Sequence, residues 1–441
     1  MTSYNLQTKH LRASAPGILR WCLDFPKPEA AISLQQLTDG LLFQGWLLLQ
    51  DGVKQAQMYV RHGEHLVTAE LNVRRPDVIE KVLQQPSVGH QQLRCGFSQR
   101  LALCADHAVV GFIIDGQQFD FVDIRIESTM KVLQGTFPWL FLDNDTNQSV
   151  AQFTGKLTLC GQTLNDWKQY LDALATLQQQ GRKLAALIAP TKEMVYPQYY
   201  PHTPAQNTPV QQLREHVGAS AILLYPAAEL ACADQRSFRY TDTHWTHHAA
   251  MQVSVLLAVQ LGLDVTAVNA CFANDQYVER SVCGDLGNKL FPPREAPEQL
   301  LCSFNYKQYL RYDNGLPNFG RVMLYENDNA LSPQHCLIFG ASSSYSMLNY
   351  LVRLYAKISI VHTAGNVDPD VIAAIVPDSI ICQTNERFIV RAPVAHYSLA
   401  NTIQEKLADM TAASASELKL ASASKSGATH HSYFHALLSK G

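Results

Sequence analysis

The sequence predicts an α/β protein with an all-β forepart. A sandwich-like accessory domain is expected over residues 1–128 and a doubly wound, mostly parallel sheet with helices on both faces over 129–410. A flexible Ala/Ser-rich tail is expected over 411–441. Three observations predict this. The chain has 441 residues, 47% apolar and 17% charged, too long for one typical core and apolar enough for two. Its first third breaks into short apolar runs separated by turn residues. From residue 129 onward, apolar runs alternate with stretches of helical period.

In the forepart, residues 40–43 (GLLF), 45–49 (GWLLL), 57–60 (QMYV) and 65–68 (HLVT) read as strands, with Asp51-Gly52 and His62-Gly63 as turns. No long 3.6-residue period appears, so a small sandwich is the natural arrangement. Trp46 lies inside such a strand and is expected in the core.

In the second part, residues 184–188, 221–225, 336–339, 358–361 and 379–382 read as strands. Between them, residues 164–180 repeat apolar side chains at helical spacing and stop at Gly181, and 249–261 do so before Gly262. Residues 345–356 form a third helix, and Asp368 and Pro369 open a fourth. Strand–helix alternation puts helices on both faces of a parallel sheet, whose site lies at the carboxyl ends of its strands. Residues 264–335 are less regular and are expected as an insertion that covers or shapes the site. In the tail, His430 and His431 are expected in solvent.

Net charge is −3 and no basic stripe occurs, so nucleic acid is not an expected partner. The opening MTSYNLQTKHLRASAPG has no basic-then-apolar leader, and no apolar run reaches the ~18 residues of a membrane span. The expectation is a cytoplasmic chain, with peripheral membrane association left open. The ten cysteines include no C-x-x-C pair, and buried free thiols are expected.

Two segments carry chemistry. In residues 240–246 (YTDTHWT), Asp242 and His244 are two apart, so an extended backbone turns both toward one pocket, where a carboxylate can orient an imidazole. In residues 339–344 (FGASSS), a buried strand meets a glycine turn and then a helix. A serine there is exposed at the strand's carboxyl end and sits among the free N–H groups of a helix N-terminus, which suit an oxyanion. Serine needs a base, and His244 is the candidate. Ser342 is read as the nucleophile, with Ser343, Ser344 or a simple helix cap as alternatives. His244 and His248 have i,i+4 metal-ligand spacing, but no Glu lies between them and no third ligand is evident, so no metal is expected.

With these residues in place, the chain resembles the alginate O-acetyltransferase branch of SGNH-hydrolase-like proteins. Asp242, Thr243, His244 and Trp245 match that family's Asp-Thr-His-Trp motif. Gly340, Ala341 and Ser342 match its Gly-Asp-Ser motif, with Ala341 in place of the usual Asp. Further pieces follow in order. They are Trp139 to Leu142 with Asn144, Asn147 and Gly155; Pro190 and Lys192 with Tyr196, Pro197 and Pro201; Gly284 to Gly287; and Pro377 and Asp378 with Glu386, Arg387 and Phe388. The resemblance spans residues 129–392. The forepart resembles β-rich modules attached to bacterial glycosyltransferases, through Gly45 and Trp46, Arg75 to Val78 and Cys95 to Phe97.

The resemblance implies a Ser342, His244 and Asp242 triad and an O-acyltransferase, most simply an O-acetyltransferase, acting on a carbohydrate or glycan precursor. It leaves Trp245, Lys192, Gly340, Ser343 and Arg387 as substrate or oxyanion candidates. A carbohydrate esterase with the same triad, or a non-catalytic glycan-binding scaffold, are the alternatives. No tightly bound cofactor is expected, and acetyl-CoA or another acetyl ester is the expected donor. A glycoconjugate substrate and association with glycan-synthesis enzymes are the expected partnerships. Glu386 and Arg387 read either as a simple ion pair near the closing strand or, for Arg387, as a substrate contact, and both readings stay open.

Overall fold

The computed structural model describes residues 3–129, 132–143, 145–423 and 430–439. Asn144, one of the residues carrying the resemblance, lies outside them. The chain divides into two compact units, Met1–Val132 with Asp285–Arg294, and Leu133–Gly284 with Glu295–Gly441.

The first unit is two antiparallel sheets. One runs β3 (Ala31–Ser33), β1 (Ser3–His10), β9 (Gln117–Ser128), β8 (His107–Ile114), β5 (Ala56–His62), β6 (His65–Glu70). The other runs β2 (Ile18–Phe25), β4 (Leu41–Leu49), β7 (Gly96–Leu101). Helices α1 (Leu34–Asp39) and α2 (Pro76–Val78) bridge strands. β4 buries alternate residues, and its Leu41, Phe43 and Leu47 share one core with Leu6, Met58, Val60, Phe112 and Phe121 of the other sheet. Alternation of period two thus gives each sheet one apolar face, and the two faces close on each other. Trp46 packs in a satellite cluster with Leu48 and Cys95.

The segment Asp285–Arg294, from within the irregular stretch 264–335, belongs to this unit by its packing. Phe291 is buried in the sandwich core, edge-on to Tyr4 at 5.9 Å, and the Tyr4 hydroxyl donates to the carbonyls of Asn288 and Leu290.

In the second unit, β10 (Val132–Gln134) and β11 (Leu140–Leu142) pair as a short ribbon, and β14 (Tyr277–Cys283) and β15 (Glu295–Leu301) pair antiparallel. The central sheet runs β13 (Leu223–Leu224), β12 (Lys183–Ala189), β20 (Ser379–Asn385), β18 (Ser332–Gly340), β19 (Tyr355–His362), β17 (Val322–Glu326), β16 (Leu310–Asp313). The first five are parallel, and β17 and β16 close one edge antiparallel.

One face is covered by α3 (Ser149–Phe153), α5 (Lys192–Val195), α7 (Ala227–Ala231), α8 (His247–Gln260), α9 (Val265–Phe272) and α10 (Ser342–Leu354). The other carries α4 (Gly161–Gln179), α6 (Pro209–Val217), α11 (Pro369–Ile375) and α12 (Leu399–Ala408). β12 divides its side chains between the two cores, with Ala185, Leu187 and Ala189 on one and Leu184, Ala186 and Ile188 on the other. A strand buried on both faces must be apolar throughout, which is why its sequence shows no alternation.

The tail departs from expectation. Helices α13 (Ala412–Ala423) and α14 (His431–Ser439) form there, and Phe434, Leu437 and Leu438 are buried in the second core. Those three residues have helical spacing, which outweighs the disorder suggested by the Ala/Ser repeats. Among the described residues, no helix is long and apolar enough to cross a membrane.

Candidate active site

The parallel strands β12, β20, β18 and β19 end at one rim, and the segments that follow them carry most of the polar groups of the site. In register, Ala189 faces Asn385, Phe339 faces Cys382 and Gly340 faces His362.

Residues 237–246 form a closed loop before α8. The loop is shut by a bridge between Phe238 and Trp245 and by the Thr246 N–H donating to the Ser237 carbonyl at 2.9 Å. Inside it, Asp242 Oδ1 accepts from the His244 backbone N–H at 2.9 Å and from His244 Nδ1 at 2.7 Å. Nδ1 therefore carries the proton and Nε2 is the basic nitrogen. Burial alone would raise the Asp242 carboxyl, but the hydrogen bonds and charge of His244, with Arg239, outweigh it and hold the group well below the usual carboxylate range. Asp242 stays ionised and fixes the imidazole. Gly284 packs against this loop so closely that a Cβ there would lie 2.2 Å from the Thr241 carbonyl oxygen, so the Gly284 signature is a packing requirement.

The serine turn joins β18 to α10. Its three serines differ. Ser343 Oγ donates to Asn385 Oδ1 at 2.7 Å, and buried Ser344 Oγ donates to Gln383 Oε1 at 2.7 Å. Among the described residues, none holds the half-buried Ser342 hydroxyl by a hydrogen bond. Gln383 Oε1 also accepts the Ala341 N–H at 2.8 Å, and Gln383 Nε2 donates to Asn385 Oδ1 at 3.0 Å. A strand-end amide thus braces the turn at Ala341, the position where the usual Asp is missing. Gly340 is required because a Cβ would lie 2.2 Å from Ser344 Oγ.

The structure joins Asp242 to His244 and makes no hydrogen bond between His244 and Ser342. Helices α8 and α10, which begin just after the two motifs, pack on each other in the same core. The remaining sequence candidates take other places. Trp245 is 2% exposed and belongs to the core. Lys192 is buried, and its ammonium donates to the carbonyls of Leu140 at 2.8 Å and Tyr240 at 3.3 Å beneath the Asp242 loop, a brace rather than a substrate contact. Ser343 is committed to Asn385. Arg387 lies 3.7 Å from Asp145 and over the Phe388 ring, so it does not pair with Glu386. His248 stacks on Tyr277 at 4.0 Å, and α8 begins after His244, so the two histidines do not share a helix face.

Sequence reasoning missed Gln383 and Asn385. The signal was present, because two amides two apart ending an otherwise apolar strand must share a face at its carboxyl end. Glu386, left open as an ion-pair partner, is instead buried and accepts from the Thr191 N–H at 2.8 Å. Burial, with the nearby charge of Glu193, pushes its carboxyl up to about 8. His362, which ends β19 beside Gly340, was not singled out either.

Residues 132–310 match the family described as SGNH hydrolase-like domain, acetyltransferase AlgX. The match includes Asp242, His244 and Gly284 and ends before Ser342. Among curated proteins none matches the chain. Among solved structures, the O-acetyltransferase domain of Pseudomonas putida AlgJ is 18% identical over 60% of this chain and 94% of its own, with a TM-score of 0.38. Bacillus cereus PatB1 is 12% identical over 59% and 97%, with a TM-score of 0.43. Pseudomonas aeruginosa AlgX is 13% identical over 62% and 64%, with a TM-score of 0.32. Residues 132–310 of this chain are thus similar to the SGNH hydrolase-like domain of the AlgX acetyltransferase type.

Proposed function

We propose that this protein transfers an acyl group, most simply acetyl, from an ester or thioester donor to a carbohydrate hydroxyl through an acyl-serine at Ser342. The observation that carries the reading is the Asp242–His244 pair, with its tautomer set by the 2.7 Å bond, in a domain that also presents an unheld serine at a strand–helix turn. Ser342 Oγ attacks the acyl carbonyl carbon while His244 Nε2 takes its proton. The tetrahedral oxyanion faces the Ser342 N–H at the start of α10, where helix N–H groups have no helical partner. The donor's C–O or C–S bond breaks, and His244 returns the proton to the leaving group. In the second half, His244 takes the proton of a sugar hydroxyl, whose oxygen attacks the acyl-serine. The Ser342 ester bond breaks, and the serine recovers its proton. Asp242 stabilises the imidazolium in both halves. Acetyl-CoA or another acetyl ester fits the donor role. The forepart's likeness to modules beside glycosyltransferases supports work alongside glycan-synthesis enzymes.

The test is labelling of Ser342 by a serine-reactive phosphonate, with product analysis using an acetyl ester with and without a sugar acceptor. Labelling and acetylated sugar are expected, and both are lost in Ser342→Ala and His244→Ala. Full activity in both variants overturns the reading. Acetate as the sole product in both assays moves it to an esterase, which keeps the same first half-reaction.

A further inference from the structure

On the far side of Ser342 from β20, the rim carries a second constellation that the proposed chemistry does not use. His362 ends β19, in register with Gly340, about 4.8 Å away across parallel strands. The Gly340 carbonyl accepts from the N–H groups of Thr363 at 2.9 Å and Ala364 at 2.8 Å, so the segment beside the serine turn is tied to it. His362 is 8% exposed. The hydroxyl of Tyr345, one helical turn beyond Ser342 in α10, shares a hydrogen bond with His362 Nδ1 at 2.7 Å. With the tyrosine hydroxyl as donor, the neutral ring carries its proton on Nε2. Burial first, then Lys406 and Arg321, push His362 down to about 4, so the neutral form is the working one.

Over this ring lies Phe319, with centroids 5.6 Å apart and the side chain 39% exposed. The loop presenting it is built, not loose. Asn314, 1% exposed, accepts from Leu316 N–H at 3.2 Å and Val322 N–H at 3.0 Å and donates to the Gly320 carbonyl at 2.9 Å. Lys406 of α12 donates to the Pro317 carbonyl, and Arg321 N–H bonds to Asn318 O at 3.0 Å. Exposing an aromatic ring on a loop braced at this many points forgoes burial that a flexible loop could recover.

We propose that Phe319 and His362 form a sugar-ring subsite beside Ser342, Phe319 offering a stacking face and His362 an Nε2–H donor to a ring hydroxyl. A pyranose presents an apolar face of C–H bonds, which suits the negative face of a phenyl ring, and hydroxyls at its edge, which suit a fixed donor. Both groups stand at the rim that carries the nucleophile. The subsite deepens the acyl-transfer reading and rests on its carbohydrate class.

Saturation-transfer NMR on the full chain, with cellotriose and a mannuronate trimer as probes, tests the subsite without turnover. At least one trisaccharide is expected to bind. Phe319→Ala, at the exposed tip of the loop, is expected to weaken it about fivefold or more with the thermal midpoint unmoved. Tyr345→Phe, which unpins the imidazole, is expected to weaken it by less. No binding by the native chain, or equal binding by Phe319→Ala, overturns the subsite. Phosphonate labelling of the same samples separates the two ideas: labelling without a Phe319 effect leaves the acyl-serine and removes the subsite. Phe319-dependent binding without labelling does the reverse.

Discussion

The two turns that carry the candidate chemistry are held in different ways. In the Asp242–His244 loop the chemical pair is set locally: Asp242 bonds the backbone and ring of a residue two positions on, and the loop closes from Ser237 to Thr246, while Lys192, Gly284 and Glu298 hold residues 240 and 241 from outside. The Gly340–Ser342 turn is fixed from a distance. Gln383 and Asn385, some forty residues later, hold Ala341, Ser343 and Ser344 and leave Ser342 clear. A motif held by near neighbours can tolerate change elsewhere, whereas one held by a remote strand depends on the whole sheet's register.

The comparison breaks most sharply at the chemistry. His244→Ala and Ser342→Ala should each lower ester turnover by about a thousandfold or more, and Asp242→Asn by about a hundredfold or more, because the amide leaves the imidazole in the wrong tautomer. Steady-state hydrolysis of an activated acetyl ester checks this. If the serine turn rests on its remote brace, Gln383→Leu should lower stability by about 2–3 kcal/mol, since it strands a buried N–H and a buried hydroxyl together. Denaturant unfolding measures the loss, and activity should fall with it. An unchanged midpoint would mean that the turn holds itself.

The rim also predicts a pH signature. Glu386 has a folded-state pKa near 8, above its unfolded value. The neutral form is therefore favoured by folding, and its contribution is complete at acid pH and lost as pH rises through about 8. Glu386→Gln, which keeps an acceptor for Thr191, should flatten that loss and raise the thermal midpoint at pH 8.5 by about 3 °C or more. Parallel slopes in both proteins would show that the carboxyl is ionised in the fold. The smallest effect is expected at the exit of the Asp242–His244 loop. Thr246 caps α8 by accepting from the Ala249 N–H at 3.3 Å, and Thr246→Ala should lower stability by about 1 kcal/mol in the same unfolding assay.

What was legible in the sequence follows the same division. Asp242 and His244 could be read together because an i,i+2 pair needs no knowledge of the fold. The strand–helix alternation and the buried strands could be read because apolar runs such as residues 184–188 have few other uses. The company of Ser342 could not be, because strand order is a long-range property. Nothing local says that β20 lies on one side of β18 and β19 on the other. The roles of Lys192 and Trp245 were obscured for a related reason. Both sit in motifs whose neighbours are polar, and only packing shows that one braces carbonyls and the other fills a core. In the tail, the Ala/Ser repeats drew attention from Phe434, Leu437 and Leu438, whose spacing is plainly helical.

The placement of Phe291 has a consequence for how the protein is made. The sandwich draws its last core aromatic from a segment more than twice as far along the chain as the sandwich's own final strand. While the ribosome is still copying the intervening stretch, the forepart must wait with a gap beneath Tyr4. Its completion is then coupled to synthesis of about half of the second unit, and a fragment ending at residue 128 should emerge as a leaky, aggregation-prone sandwich.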